Sequence, residues 1–82
     1  MPPLTPAQLT ILKLVSSFDG QFGPYSIEAA MKTFSEIPES DWAPIHNQLN
    51  MLGDLGFIRP DVTEAGLSRY RMTDRGRNLV GG

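Results

Sequence analysis

Three groups of side chains in this 82-residue sequence are polar enough, at close enough spacing, to recognise another molecule. The first is the run His46-Asn47-Gln48-Leu49-Asn50. An amide side chain offers a donor and an acceptor side by side, the pattern that an adenine edge presents in the DNA major groove. The same residues also serve as the solvated face of a helix or as a contact to a partner protein. The second group is the arginines, Arg59, Arg69, Arg71, Arg75 and Arg77, all in the last third of the chain. Guanidinium groups bind phosphate through paired hydrogen bonds, and charge on a hairpin also protects its edges from pairing. The third group is acidic: Glu28, Glu36, Glu39, Asp41 and Asp54. It reads either as a solvated face or as a negative surface complementary to a basic groove on a larger protein.

Other chemistries find no support in the residue types. With no cysteine there is no disulfide framework, thiolate zinc site or cysteine nucleophile. His46 is the sole histidine, which leaves only carboxylates as co-ligands, a poor zinc set. No serine stands in a recognisable triad relation to it, and the glycines form neither a G-x-G-x-x-G nor a Walker pattern. The expectation is a protein that is not an enzyme, without metal or cofactor. No stretch approaches the roughly 20 apolar residues of a membrane span, and Met1-Pro2-Pro3-Leu4-Thr5 has no basic leader, so a cytoplasmic location is expected.

Position along the chain decides what the polar groups can do. Thr5, Pro6 and Gln8 form a T-x-x-Q capping box with proline at the first helical position, and Leu4 and Leu9 are spaced as a hydrophobic staple. Leu9, Ile11, Leu12, Val15 and Phe18 then predict a helix over 5–19, closed by Asp19-Gly20. Gly23-Pro24 reads as a loop, after which Ser26 is expected to cap a second helix over 26–35 that buries Ile27, Ala30, Met31 and Phe34. Ser40 is expected to cap a third helix over 40–55, with Asp41 and Pro44 in its first turn and Trp42, Ile45, Leu49 and Leu52 buried. Trp42 at its entry also has the character of an interface anchor.

Past Gly56 the hydrophobic period shifts from 3.6 to 2. This predicts a hairpin over 57–73 that turns at Glu64-Ala65-Gly66, with Ser68, Tyr70 and Met72 facing the core. Pro60 marks its first strand as an edge or as bulged. Thr73-Asp74 caps a terminal helix over 74–80, and Gly81-Gly82 reads as a flexible end.

Two motifs carry a resemblance. Leu49-x-x-Leu52-x-x-x-Gly56-Phe57-Ile58 resembles the passage from third helix to wing in winged helix-turn-helix proteins. Tyr70-Arg71-Met72-Thr73-Asp74-Arg75-Gly76-Arg77 is similar to the wing exit of MarR- and PadR-type regulators, where an aromatic-x-aliphatic-Thr-x-x-Gly pattern leads into the next helix. The resemblance implies a mainly α fold with a small β-hairpin: three helices, a wing and a short C-terminal helix in one domain over 1–82. It also implies that the third helix enters the DNA major groove while the wing touches backbone or minor groove. Those roles would fall on Ala43, His46, Asn47 and Asn50, and on Arg59, Arg69 and Arg71 of the wing.

Charge argues against that carry-over. From Glu39 to Leu55 there are three acids and no lysine or arginine, and residues 1–56 set Lys13 and Lys32 against six acids, a balance of −4. Residues 57–82 balance at +2. Affinity for DNA comes largely from neutralised phosphates. The sequence therefore favours a small regulatory or inhibitory module. It would dock Glu28, Glu36, Glu39, Asp41, Trp42 and His46 onto a larger protein with a basic, nucleic-acid-binding surface. The alternative is a DNA-binding transcriptional regulator, acting as a dimer, that uses the third helix and the arginine-bearing wing.

Overall fold

A computed structural model describes residues 4–18, 20–62, 66 and 68–81. Its order is α1 (Pro6–Ser17), α2 (Pro24–Phe34), a 3-10 turn (Glu39–Asp41), α3 (Ile45–Asp54), β1 (Ile58–Val62), β2 (Ser68–Met72) and α4 (Asp74–Gly81). Asp19, the hairpin-loop residues Glu64 and Ala65, and Gly82 lie outside the described residues.

The capping box at α1 forms in full. Gln8 N–H donates to Thr5 Oγ1 at 3.1 Å, and Thr5 N–H donates to Gln8 Oε1 at 3.0 Å. Ile11, Leu12 and Val15 are buried, whereas Phe18 leaves the core and stacks on Phe22, ring centroids 4.3 Å apart. At α2 the sequence expectation needs two corrections. The cap position is Gly23, and Pro24 is the first helical residue, where a missing N–H costs nothing, so Ser26 lies inside the helix. Phe34 is 81% exposed, because α2 ends there and the chain turns Ile37 back against the core instead.

The third helix also departs from expectation. The chain makes a 3-10 turn at Glu39–Asp41, passes through a cis Ala43–Pro44 bond and begins α3 at Ile45 with Pro44 at the cap. Ser40 caps nothing. Proline disfavours helical backbone in the residue before it, so Ala43 cannot continue a helix into Pro44. Ile45, Leu49 and Leu52 are buried as the period requires.

β1 and β2 pair antiparallel in an unbroken register, Ile58 opposite Met72 through Val62 opposite Ser68, with no bulge at Pro60. The far edge of β2 is occupied by the α1–α2 connection: Gly20 N–H donates to Tyr70 O, and Tyr70 N–H donates to Phe22 O, both at 2.9 Å. Met72 is buried and Tyr70 packs against the core, as the alternation predicts. α4 continues to Gly81 and lays Leu79 and Val80 on the core beside α1.

The two sequence motifs meet in space at the root of the hairpin. Thr73 N–H donates to Phe57 O at 3.1 Å, and Thr73 Oγ1 donates to Gly56 O at 2.5 Å and accepts from Gly76 N–H at 3.1 Å. Gly56 takes φ +83°, open to glycine without a Cβ clash. A Cβ on Gly76 would lie 2.1 Å from Phe57 O. The Thr-x-x-Gly spacing thus caps α4 and lets it pass directly over the strand entry.

Candidate nucleic-acid interface

α3 presents a sharply divided circumference. Ile45, Leu49 and Leu52 point into the core, while His46, Asn47, Asn50, Met51 and Asp54 are exposed. At about 100° per residue, Asn47, Asn50 and Asp54 lie closest to the outward direction and His46 sits on one flank. Met51 is on the other flank, where its Sδ accepts from Gln8 Nε2 at 2.8 Å. Gln48 is turned towards α1, its Oε1 accepting from the same Gln8 amide at 3.3 Å, so it drops out of the outward polar set. Ala43 is exposed but precedes α3, in the connection from the 3-10 turn.

Two grooves separate this helix from the hairpin, one near each of its ends. One, of about 300 Å³, is formed by Pro24, Tyr25 and Ser26 at the start of α2, His46 on α3, and Gly66 and Arg69 on the hairpin. The other, of about 420 Å³, lies between Asn50 and Asp54 of α3 and Arg59, Pro60 and Tyr70 of the hairpin. The structure thus gathers His46 with Arg69 and Asn50 with Arg59, one hairpin cation for each groove. Tyr25 and Ser26 join the site although the sequence did not single them out. With Pro24 read as part of a loop, both fell before or at a supposed cap and not on a helix facing α3. Partial burial raises the Tyr70 phenol above its ordinary value.

Arg71 is placed differently. Its Nε is 2.6 Å from Asp61 Oδ2, and its guanidinium lies over Gly20. This ion pair holds the Asp61 carboxyl below its usual range, the hydrogen bond from Arg71 being the largest cause. Arg71 shares a third groove with Arg59 and Arg77 at the start of α4, away from α3. Arg75 sits 5.4 Å from the centre of the Phe57 ring, and Arg77 lies 3.8 Å from Asp74.

Two of the acids are already paired within the chain. Glu28 and Glu39 both approach Lys32, at 3.6 and 3.5 Å, and share its charge. Glu36 is exposed, and exposed Asp41 borders a separate cleft with Thr5, Pro6 and Ile37. Trp42 is 1% exposed in the centre of the core, its indole N–H donating to Ile37 O at 3.4 Å. It therefore cannot serve as the surface anchor suggested by its type, because folding already consumes both its ring and its polar tip. Among the described residues no group of acids and histidine is placed to hold a metal ion, and no helix is long and apolar enough to cross a membrane.

No family model and no curated protein sequence matches the chain significantly. Solved structures do. A MarR-family transcriptional regulator from Silicibacter pomeroyi superposes over 95% of the chain with a TM-score of 0.70 at 23% identity. The smu.1704 protein of Streptococcus mutans UA159 superposes over 92% of the chain with a TM-score of 0.68 at 28% identity. A Streptococcus transcriptional regulator covers 90% of the chain with a TM-score of 0.63 at 16% identity. The chain spans 48% of the length of the S. pomeroyi regulator, and 69% and 73% of the other two. With its hairpin rooted beside an outward-facing third helix, and with that geometry shared across nearly its whole length by a MarR-family regulator, the chain has the winged helix-turn-helix fold.

Proposed function

We propose that this chain binds duplex DNA and acts as a transcriptional regulator, with α3 in the major groove and the wing on the phosphate backbone. The observation that carries the reading is the placement of Arg69 and Arg59, one in each of the two grooves between α3 and the hairpin, the first towards the start of the helix and the second towards its end. The cations absent from the helix itself are supplied beside it by the hairpin. His46, Asn47 and Asn50 then face base edges, while Arg59 and Arg69 meet phosphates along the wing-facing side of the helix. Similarity to regulator structures points the same way. Docking onto a basic protein has less to rest on, since Trp42 is buried and Glu28 and Glu39 share Lys32.

Fluorescence anisotropy with a labelled duplex, titrated at several salt concentrations, tests the proposal. Binding is expected to weaken steeply with salt. Arg59→Ala and Arg69→Ala are each expected to weaken it on all sequences alike and to reduce the salt slope by about one. Undiminished binding in the double variant, or no binding to duplex at low salt, would overturn it.

A further inference from the structure

Resting on the DNA-binding reading above, we infer that α3 reads adenine, and that the target is an A·T-containing half-site with no guanine-specific contact from the helix. Every base pair shows a distinct pattern in the major groove. Guanine offers two acceptors, N7 and O6, and is matched by arginine or lysine; adenine offers an acceptor and a donor, N7 and N6, and is matched by asparagine or glutamine. α3 holds no lysine or arginine from Ile45 to Asp54. Its outward line is Asn47, Asn50 and Asp54, all exposed. Gln48, the other amide on the helix, is drawn to Gln8. Asp54, one turn beyond Asn50, can only accept hydrogen bonds, so it opposes a guanine edge and tolerates an amino group. Asn47 and Asn50 stand about 60° apart around the axis and about 4.5 Å apart along it, given a rise of 1.5 Å per residue. That separation suits bases one or two steps apart.

The cations are off the reading line. Arg59 and Arg69 belong to the hairpin and border α3 from its wing-facing side. Affinity and selectivity are thus divided between two elements: the wing binds any duplex, and the two asparagines choose among sequences.

The full chain is used at low salt to select duplexes from a random pool, and the enriched sites are titrated by anisotropy. The expected result is adenine at two positions one or two steps apart. Replacing each by 7-deazaadenine removes the N7 acceptor and leaves pairing intact, and is expected to weaken binding roughly five- to a hundredfold. Asn50→Ala, on an exposed position, is expected to bind the natural and 7-deaza duplexes equally at one of the two positions; a circular dichroism melt verifies that it folds. Enrichment of guanine that disappears in Arg59→Ala or Arg69→Ala would overturn the inference and leave DNA binding standing, as would adenines that tolerate the 7-deaza replacement. A pool from which nothing is retained would overturn the DNA-binding reading, and this inference with it.

Discussion

Thr73 and Gly76 show how much of this fold hangs on single atoms. The hydroxyl of Thr73 serves both ends of the wing, and Gly76 is required because Phe57 O occupies the place of its missing Cβ. Gly76→Ala is expected to lower stability by about 3 kcal/mol, since the clash is with backbone that cannot rotate away; urea unfolding followed by Trp42 fluorescence measures it. The Asp61–Arg71 pair gives a smaller, pH-dependent effect. Asp61 titrates below its ordinary value of 3.8 in the folded chain, so its contribution is present above that value and is lost as pH falls through the lower folded one. Melting temperatures of the native protein and of Asp61→Asn are expected to differ slightly at pH 7 and to converge in strong acid. The Thr-x-x-Gly pattern was legible as a motif, but its cause was not, because spacing along the chain does not reveal which carbonyl lies across from a glycine.

The elements were read well wherever a local rule decided them. Thr5 and Gln8 fixed the start of α1, and the change of period at Gly56 fixed the wing. Prolines misled in both remaining cases. Pro24 opens α2 where a turn was expected, and Pro44 delays α3 by four residues. Each lies where proline is tolerated by a helix start and by a loop alike, so spacing alone leaves the boundary open even though Ile27 and Ile45 are buried as expected. The delay matters for the site, since it leaves Ala43 off the helix and sets Asn47 and Asn50 on its outward line. On that line Asp54 is the one residue of the wrong sign for DNA. Asp54→Lys is expected to raise affinity for every duplex and to steepen the salt slope by about one, as one more cation meets a phosphate. Anisotropy titrations in parallel with the native chain would detect this.

Across the whole molecule, net charge does not describe the surroundings of α3. The sequence has a formal net charge of −2 and its first 56 residues balance at −4, which pointed to a protein partner. In three dimensions two of those acids share Lys32 and Asp41 borders another cleft, while Arg69, distant in sequence from α3, comes to lie beside it together with the nearby Arg59. Sequence order hides this because a hairpin returns its residues to elements laid down much earlier. Arg69 meets His46 and Tyr25 only once the wing folds back past α3 towards the start of α2.

The seating of Gly20 and Phe22 against Tyr70 has a consequence for self-association. Tyr70 turns its backbone groups away from β1, so Pro60 opposite it turns its own away from β2, towards the sheet's open flank. There, midway along the strand, an incoming β-strand would need an amide hydrogen, and the pyrrolidine ring supplies none. Pro60→Val would restore that hydrogen on a residue well suited to strands, and light scattering at rising concentration should then report more association than in the native chain. A native chain that oligomerised to the same extent would show that the proline does not guard this flank.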